Sequence, residues 1–203
     1  MDLAALVEPA AVACHDVRRS GLKEGDFVVV NGGGPIGMLI ALTARKAGGQ
    51  VTVSEINPAR LRLARELGFA VIDPKTADAV ARIRRETGGS GADVVFEVTG
   101  SEAGARLITE AARPRGTIVM VAIYPAPVPV DLHKFFWKEL TMTGARVYER
   151  EDFERAIALV AARELPFDRL ISRVFPLEEL QNAFEYLGQA PDAMKILIRC
   201  RKE

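Results

Sequence analysis

A glycine-rich turn is the part of this 203-residue sequence whose residue types and spacing point most clearly to chemistry. Three glycines follow an apolar run of strand length, with the spacing Gly32-x-Gly34-x-x-Gly37. This spacing is typical of turns that bind dinucleotides. The first glycine permits a tight bend, the second lets a pyrophosphate approach the backbone, and the third lets a helix pack closely on the strand. The N–H groups and the positive dipole at the start of that helix favour phosphate.

An acidic residue follows the next apolar run, residues 51–54, and extends this prediction. Glu55 lies a little more than ~20 residues after the first glycine, where a carboxylate accepts hydrogen bonds from the hydroxyls of the adenosine ribose. The same negative charge would repel a 2′-phosphate, so the sequence favours NAD over NADP. A methyltransferase-like domain that binds S-adenosylmethionine also has a glycine-rich turn and an acid after its second strand, and it remains the alternative at this point.

The elements that must position this turn alternate between strand and helix. Apolar runs of strand length are separated by amphipathic stretches with helical periodicity. This alternation predicts an α/β fold, a doubly wound parallel six-stranded sheet with helices on both faces. The predicted strands are residues 26–31, 51–54, 69–72, 93–98, 116–123 and 140–145, with the last at the edge of the sheet. Ligand is expected beyond the carboxyl ends of the strands, at the switch point.

Composition excludes several other classes of function. Lys plus Arg and Asp plus Glu both number 27, so nothing favours nucleic acid or an anionic membrane. No apolar run approaches the ~20 residues that a membrane span needs. Two distant cysteines exclude a disulfide framework and favour a cytoplasmic protein. With two histidines besides, the chain predicts no metal site of its own, and the adjacent Cys14 and His15 are interpreted as structural.

The remainder of the chain has three further features. The proline-rich residues 125–130 predict an extended surface segment, and Phe135, Phe136 and Trp137 in the stretch that follows are expected to pack against the sheet edge rather than to bind a ligand. A helical stripe of Leu177, Leu180, Phe184 and Leu187 is interpreted as core rather than interface. Residues 195–199 predict a closing strand.

Several segments, spread over nearly the whole chain, resemble the zinc-dependent medium-chain dehydrogenases and reductases. They are the EPAAVACH sequence from Glu8 to His15, the glycine turn with its Pro-Ile pair, and residues 97–100, 138–144, 147–153, 175–180 and 194–197. The branch that the chain resembles most includes the polyol, threonine and butanediol dehydrogenases.

The resemblance implies roles for residues around the glycine turn. Glu8 is expected to contact the catalytic zinc or its water, as the one catalytic residue in this chain. Val12 is expected to pack under the nicotinamide. Pro35 and Ile36 are expected to offer backbone N–H groups to the pyrophosphate. Glu55 would bind the adenosine ribose with Arg60 lying over it.

Further cofactor contacts are implied on the other side of the turn. Val98 and Thr99 are expected to line the cleft. The nicotinamide carboxamide is expected to be positioned through backbone groups and packing by Ala122, Ile123, Ala145 and Val147.

In the family a catalytic domain of roughly 150 residues, a size ordinary for one domain, precedes the segment that matches Glu8. The resemblance therefore implies that residues 1–9 end a catalytic-domain segment, that residues 10–147 form the NAD-binding domain, and that residues 148–203 return to the catalytic domain.

The function that this resemblance implies is an alcohol or polyol dehydrogenase, butanediol- or sorbitol-like, which transfers hydride from a secondary alcohol to NAD. Zinc is expected only in the full-length enzyme. A homodimer or homotetramer is expected to form through strand 140–145. The alternative is a stand-alone NAD-binding module without dehydrogenase activity.

Overall fold

A computed structural model describes residues 2–200 of the chain, without the side chain of residue 2. The helices and strands in chain order are α1 Val7–Ser20, β1 Phe27–Asn31, α2 Pro35–Lys46, β2 Gln50–Ser54, α3 Pro58–Glu66, β3 Ala70–Ile72, α4 Ala79–Glu86, β4 Ala92–Glu97, α5 Glu102–Ala111, β5 Ala112–Met120, α6 Leu132–Lys138, β6 Thr141–Gly144, α7 Arg150–Ala162, β7 Ile171–Pro176, α8 Leu180–Gln189 and β8 Lys195–Arg199. Short 3-10 helices span Asp2–Leu6, Phe167–Leu170 and Leu177–Glu179. Within the described part, none of the helices is both long enough and apolar enough to cross a bilayer.

The main sheet is parallel and has six strands in the order β3-β2-β1-β4-β5-β6. The order reverses between β1 and β4, which places the switch point of a doubly wound sheet at the carboxyl ends of those two strands. This confirms the predicted fold, including the position of the sixth strand at the sheet edge.

Both faces of the sheet are covered, as the apolar strands predict. In β1, Val28 and Val30 belong to the hydrophobic core on one face, while Val29 belongs to the core on the other. Successive side chains of a strand point to opposite faces, so three buried valines in a row require helices on both sides. The three valines of the central strand are therefore enclosed on both faces, and the carboxyl end of the strand leads into the glycine turn.

Four elements differ from the sequence predictions. Strand β5 ends at Met120, so Ala122 and Ile123 lie beyond the strand rather than in it. A helix, α6, forms after the proline-rich segment, where no helix was predicted. Strand β7 was not predicted, and it pairs in parallel with β8 in a separate two-stranded sheet. The strand at residues 195–199 is confirmed, but it does not join the main sheet.

Two groups of apolar side chains are exposed where packing was predicted. Leu177, Leu180, Phe184 and Leu187 are each 41–64% exposed, so their interpretation as core is wrong for this chain. Phe135 is partly buried and packs against the core on one face of the sheet, as predicted, whereas Phe136 and Trp137 are 76% and 67% exposed and contact each other edge-to-face. Helical periodicity identifies an apolar face but does not say which element covers it.

Candidate functional site

The glycine turn follows β1 and is held against the neighbouring strands. Gly32 has φ +112°, a conformation that strongly favours glycine, and its N–H donates to the carbonyl of Ser54 at 2.8 Å. A Cβ at Gly37 would lie 1.8 Å from the carbonyl oxygen of Gly32, so only glycine fits there. A Cβ at Gly34 would meet nothing closer than Arg60 Nη1 at 3.6 Å. The space in front of Gly34 is therefore free for a ligand group that must approach the backbone closely.

Helix α2 begins directly at this turn, with Gly34 as its N-cap and Pro35 as its first residue. No side chain of the described residues caps this helix, so its first N–H groups point to the space in front of the turn. The expectation that Pro35 donates an N–H is wrong, because proline has none; its fixed φ instead suits the first helical position. Ile36 and the residues after it retain N–H groups that suit an anion.

Glu55 directly follows β2 on the other side of the turn and is 7% exposed. Its Oε2 accepts a hydrogen bond from the Gly33 N–H at 2.8 Å, and its Oε1 accepts from the Ile56 and Asn57 N–H groups at 2.6 and 2.8 Å. A carboxylate offers about four acceptor positions, so three backbone donors leave room for a further donor such as a hydroxyl. The glycine turn and this carboxylate are thus fixed to each other directly.

Arg60 lies across the same space from the first turn of α3. Its Nη1 lies 4.0 Å from Glu55 Oε2, and its Nη2 donates to the carbonyl of Pro191 at 3.1 Å. Asn57, the N-cap of α3, donates through Nδ2 to Asp192 Oδ1 at 2.9 Å. The turn after α8 therefore forms one edge of the site, and it fixes the guanidinium of Arg60 beside the carboxylate of Glu55.

A cavity of about 330 Å³ opens between these groups. Six of the predicted cofactor residues line it: Gly32, Gly34, Glu55, Arg60, Val98 and Thr99. The other lining residues include Asn31, Ser54, Ile56, Pro74, Ser101, Ala103, Gly104 and Leu107. The cavity lies at the carboxyl ends of β1, β2 and β4, where the doubly wound fold predicts a ligand.

The remaining predicted residues lie outside this cavity. Glu8 is exposed in the first turn of α1, and Val12 is half-buried further along the same helix. Ala122 and Ile123 follow β5, while Ala145 and Val147 follow β6, and Ile123 is 94% exposed. Val147 has φ +62°, an uncommon and strained conformation for a β-branched residue. Ala122, Ile123, Ala145 and Val147 therefore lie beyond the ends of β5 and β6, whereas Glu8 and Val12 lie on α1, and none of the six lines the cavity.

Two polar residues that the sequence analysis did not assign to the site meet at its base. Asn31 ends β1 and Glu97 ends β4, and both are buried. Asn31 Nδ2 donates to Glu97 Oε2 at 2.6 Å. The signal that could have identified them is that each is the single strongly polar residue at the end of an apolar central strand.

A second polar cluster joins α1 to the start of α7. His15 Nδ1 lies 2.8 Å from Asp152 Oδ2, and Arg18 Nε donates to Asp152 Oδ1 at 2.8 Å. Burial acts to raise the pKa of Asp152, but hydrogen bonds from Arg18, from the Glu149 backbone and from His15 outweigh it and hold that pKa below its usual range. Burial raises the pKa of the Cys14 thiol to about 11. His15 therefore links two helices, and Cys14 is a packed thiol rather than a nucleophile.

Asp16 is the one buried carboxylate of this region that lacks a partner among the described residues. It is fully buried, and neither carboxylate oxygen accepts a hydrogen bond there. Burial, and after it the negative charge of Asp152, raise the pKa of Asp16 to about 7.

A zinc ion does not fit the residues that the structure describes. Over residues 2–200, no three side chains of His, Cys, Asp or Glu come together as a metal site would require. No step is therefore derived through a metal held by this chain alone.

The fold and the switch-point cavity define a Rossmann-type α/β domain. The sequence pattern of the family described as zinc-binding dehydrogenase matches residues 35–162, and the chain belongs to that family. The resemblance inferred from the sequence is thereby confirmed.

Comparison with individual proteins gives the same family. The chain is 48% identical over 199 residues to a 2-dehydro-3-deoxy-L-galactonate 5-dehydrogenase of Pseudoalteromonas atlantica, covering 98% of this chain and 58% of that protein. The crystal structure of the 2R,3R-butanediol dehydrogenase of Bacillus subtilis matches with a TM-score of 0.91 and 34% identity, covering 97% of this chain and 57% of that one. A structure described as a zinc-binding dehydrogenase of Sinorhizobium meliloti bound to NADP matches with a TM-score of 0.89 and 32% identity, covering 98% and 59%. The chain thus spans somewhat more than half the length of the proteins it matches.

Proposed function

We propose that the cavity at the switch point binds NAD and that the chain is the coenzyme-binding portion of an alcohol or polyol dehydrogenase. In this proposal, the adenosine ribose lies at Glu55 and the diphosphate lies in front of Gly34 at the start of α2. The observation that carries the proposal is the direct contact between Glu55 and the glycine turn, with free space in front of Gly34. Names of related proteins as sugar-acid and butanediol dehydrogenases support the class of reaction.

In this proposal, the carboxylate of Glu55 and not the guanidinium of Arg60 decides the preference of the site for NAD over NADP. The Glu55 carboxylate is buried and held by three backbone N–H groups, so its negative charge is fixed where a 2′-phosphate would lie. Arg60 alone would favour that phosphate, but its guanidinium already donates to the carbonyl of Pro191. Because a related structure contains NADP, the test must include both dinucleotides.

The reaction proposed for a protein of the relatives' full length is hydride transfer from the secondary alcohol of a small alcohol or polyol to NAD. A zinc ion in such a protein lowers the pKa of the bound alcohol. The residues of this chain bind and orient the dinucleotide. For Glu8 a place near the zinc is proposed, in agreement with its exposed position at the start of α1. Val12, Ala122, Ile123, Ala145 and Val147 are proposed to surround the nicotinamide.

A homodimer through β6 is proposed as the assembly, with a homotetramer built on it as the alternative. Strand β6 ends the sheet and pairs only with β5 in the described structure, so its other edge is open. Met142 is 44% exposed on this strand, and Phe136 and Trp137 are exposed on the preceding helix. An open strand edge beside apolar side chains favours pairing with a second copy.

The experiment that tests the function is calorimetric titration of the chain with NADH, NADPH and S-adenosylmethionine under one set of conditions. The proposal expects NADH to bind at least about tenfold more tightly than NADPH, a difference of about 1.4 kcal/mol, and S-adenosylmethionine not to bind. No binding of NADH would contradict the proposal. Binding of S-adenosylmethionine instead would favour a methyltransferase-like domain.

A second experiment, on a longer protein, separates the dehydrogenase from a stand-alone NAD-binding module. A protein of the relatives' full length, loaded with zinc, should reduce NAD in the presence of diols or polyols. Absence of turnover in that protein, despite tight binding of NADH, would support the module and contradict the enzyme.

A further inference from the structure

The carboxylate of Glu97 is the most enclosed charged group at the switch point. Its side chain is fully buried at the carboxyl end of β4, directly opposite Asn31 of β1. Oε2 accepts from Asn31 Nδ2 at 2.6 Å, and Oε1 accepts from the Thr99 N–H at 2.9 Å, the Thr99 hydroxyl at 2.5 Å and the Gly100 N–H at 3.1 Å. Each of these groups donates a hydrogen bond to the Glu97 carboxylate. A buried carboxylate is costly without such partners, so the cluster must be assembled as a unit.

This one residue connects three segments that border the cavity. A Cβ at Gly32 would lie 3.1 Å from the carbonyl carbon of Val98, so the glycine turn rests on the loop that Glu97 holds. The backbone carbonyl of Glu97 also accepts from the Val121 and Ala122 N–H groups at 3.1 and 3.0 Å. The ends of β1, β4 and β5 therefore meet at Glu97.

Helix α5 and Tyr124 enclose the cluster from outside. A Cβ at Gly104 would lie 2.1 Å from the Thr99 hydroxyl oxygen and 2.8 Å from both carboxylate oxygens of Glu97, so α5 approaches as closely as glycine permits. Burial, and after it the negative charge of Glu97, raise the pKa of Tyr124 above its ordinary value. The loop from Val98 to Gly100 is thus held from beneath by Glu97, which is not among the residues that line the cavity.

We infer that Glu97 is a positioning residue that fixes the wall of the cleft for the nicotinamide half of the dinucleotide. The inference rests on the proposed function. Glu55 directly follows β2 and Glu97 ends β4, on opposite sides of β1. A dinucleotide that crosses the switch point with its adenosine at Glu55 places its other half along the loop that Glu97 holds. The two halves of the ligand therefore depend on two different carboxylates.

The test compares two variants of Glu97 and two ligands. Glu97→Leu keeps the approximate volume but removes every acceptor, whereas Glu97→Gln keeps an acceptor oxygen for the Thr99 and Gly100 N–H groups. AMP contains only the adenosine half of the ligand, so it reports on the Glu55 side alone. Calorimetry measures the affinity for each ligand, and the fluorescence of bound NADH reports on the surroundings of the nicotinamide.

Glu97→Leu is expected to weaken NADH binding about tenfold or more and to change the emission of bound NADH, as the loss of hydrogen bonds to a charged group predicts. The affinity of this variant for AMP is expected to stay within about twofold of that of the wild type, because AMP does not reach the loop that Glu97 holds. Glu97→Gln is expected to recover most of the NADH affinity. If Glu97→Leu does not fold, Glu97→Asp takes its place, because its carboxylate is one carbon shorter and cannot reach all of these donors; it is expected to weaken the binding of NADH but not that of AMP.

Two results would overturn the inference while leaving the proposed function intact. One is wild-type affinity for NADH in Glu97→Leu, or in Glu97→Asp where the leucine variant does not fold. The other is an equal loss of affinity for NADH and AMP, which would mean that Glu97 supports the fold as a whole. Failure of the wild-type chain to bind NADH would instead overturn the proposed function, and it is recognised before any variant is made.

Discussion

Gly37 lies directly against Gly32, and a Cβ added at Gly37 would lie 1.8 Å from the carbonyl oxygen of Gly32. Gly34, between them in sequence, has no such neighbour, because its nearest contact would be Arg60 Nη1 at 3.6 Å. The two glycines of one motif thus serve different purposes. Gly37 is required by the packing of α2 on β1, whereas Gly34 keeps space free for a ligand.

This difference predicts opposite results for two alanine variants. Gly37→Ala is expected to destabilise the fold by about 3 kcal/mol or more, because backbone must move to accept the methyl group. Gly34→Ala is expected to keep the unfolding temperature of the wild type. It is expected to bind NADH at least about tenfold more weakly, a loss of about 1.4 kcal/mol in binding free energy. Thermal unfolding and NADH titration measure the two effects. Equal NADH affinity in Gly34→Ala and the wild type would show that no pyrophosphate approaches this glycine.

Replacement of Glu55 by serine is expected to change the preference between the two dinucleotides. Glu55→Ser removes the fixed negative charge, so NADH affinity should fall about 10- to 100-fold while NADPH affinity rises. The guanidinium of Arg60, which lies 4.0 Å from the carboxylate, then becomes the group that meets the 2′-phosphate. The control is Glu55→Ser/Arg60→Ala, in which the gain for NADPH should disappear. A gain that persists without Arg60 would contradict this assignment.

Asp16 is expected to make the chain less stable as the pH rises. Its folded-state pKa is raised from 3.8 to about 7, so between these values the unfolded chain releases a proton that the folded chain retains. Stability contributed by the protonated form is complete below pH ~4 and is lost as the pH rises to ~7, by roughly 2–4 kcal/mol. Asp16→Asn should therefore match the wild type near pH 4 and exceed its stability at pH 8. Chemical denaturation at both pH values measures this, and an Asp16→Asn variant that is less stable at pH 8 would contradict it.

Asp152 is expected to have the opposite dependence on pH. Its folded-state pKa is depressed, so its stabilising effect is present above the unfolded value of ~4 and is lost as the pH falls below it. Asp152→Asn should cost about 2 kcal/mol at pH 7, because it leaves His15 without its charged partner and takes from Arg18 the one buried carboxylate among its three acidic partners. The cost should shrink at pH 3. An equal cost at both pH values would show that packing, not charge, accounts for it.

The open edge of β6 predicts the assembly. Met142→Arg places a charge on this edge, so it is expected to convert a dimer into monomers in light scattering. Trp137 is the single tryptophan of the chain and lies on the helix before β6, so its emission should shift to longer wavelength as the interface is exposed. Leu187→Arg, on the exposed face of α8, is the matched control and should leave the dimer intact. If only Leu187→Arg dissociates the dimer, the interface lies on α8 and not on β6.

Much of the fold could be predicted from the sequence because local patterns and the sheet agree. The valines of β1 predict a strand covered on both faces, and the spacing of Gly32, Gly34 and Gly37 predicts the turn. The edge position of β6 also follows from the sequence. In the site, Glu55 and Arg60 were predicted in their places beside the turn.

The features that could not be predicted depend on packing between distant segments. The burial of Asp16 depends on the elements around α1, and nothing in its neighbouring residues indicates it. Strand β7 forms because it pairs with β8, which comes later in the chain. Ile171 of β7, for example, pairs with Lys195 of β8. The role of Glu97 becomes visible only when Asn31 and Thr99 are seen to converge on it. A polar residue at a strand end is apparent in the sequence, but its partners are not.

A crystal structure of the chain with NADH would show directly whether the dinucleotide occupies the switch-point cavity. The adenosine ribose hydroxyls are expected to lie within hydrogen-bonding distance of the Glu55 carboxylate. The diphosphate is expected in front of Gly34 at the first N–H groups of α2, and the nicotinamide half is expected to follow Val98 and Thr99. NADH found elsewhere on the chain, or in this cleft with its ribose away from Glu55, would contradict the proposed binding of NAD.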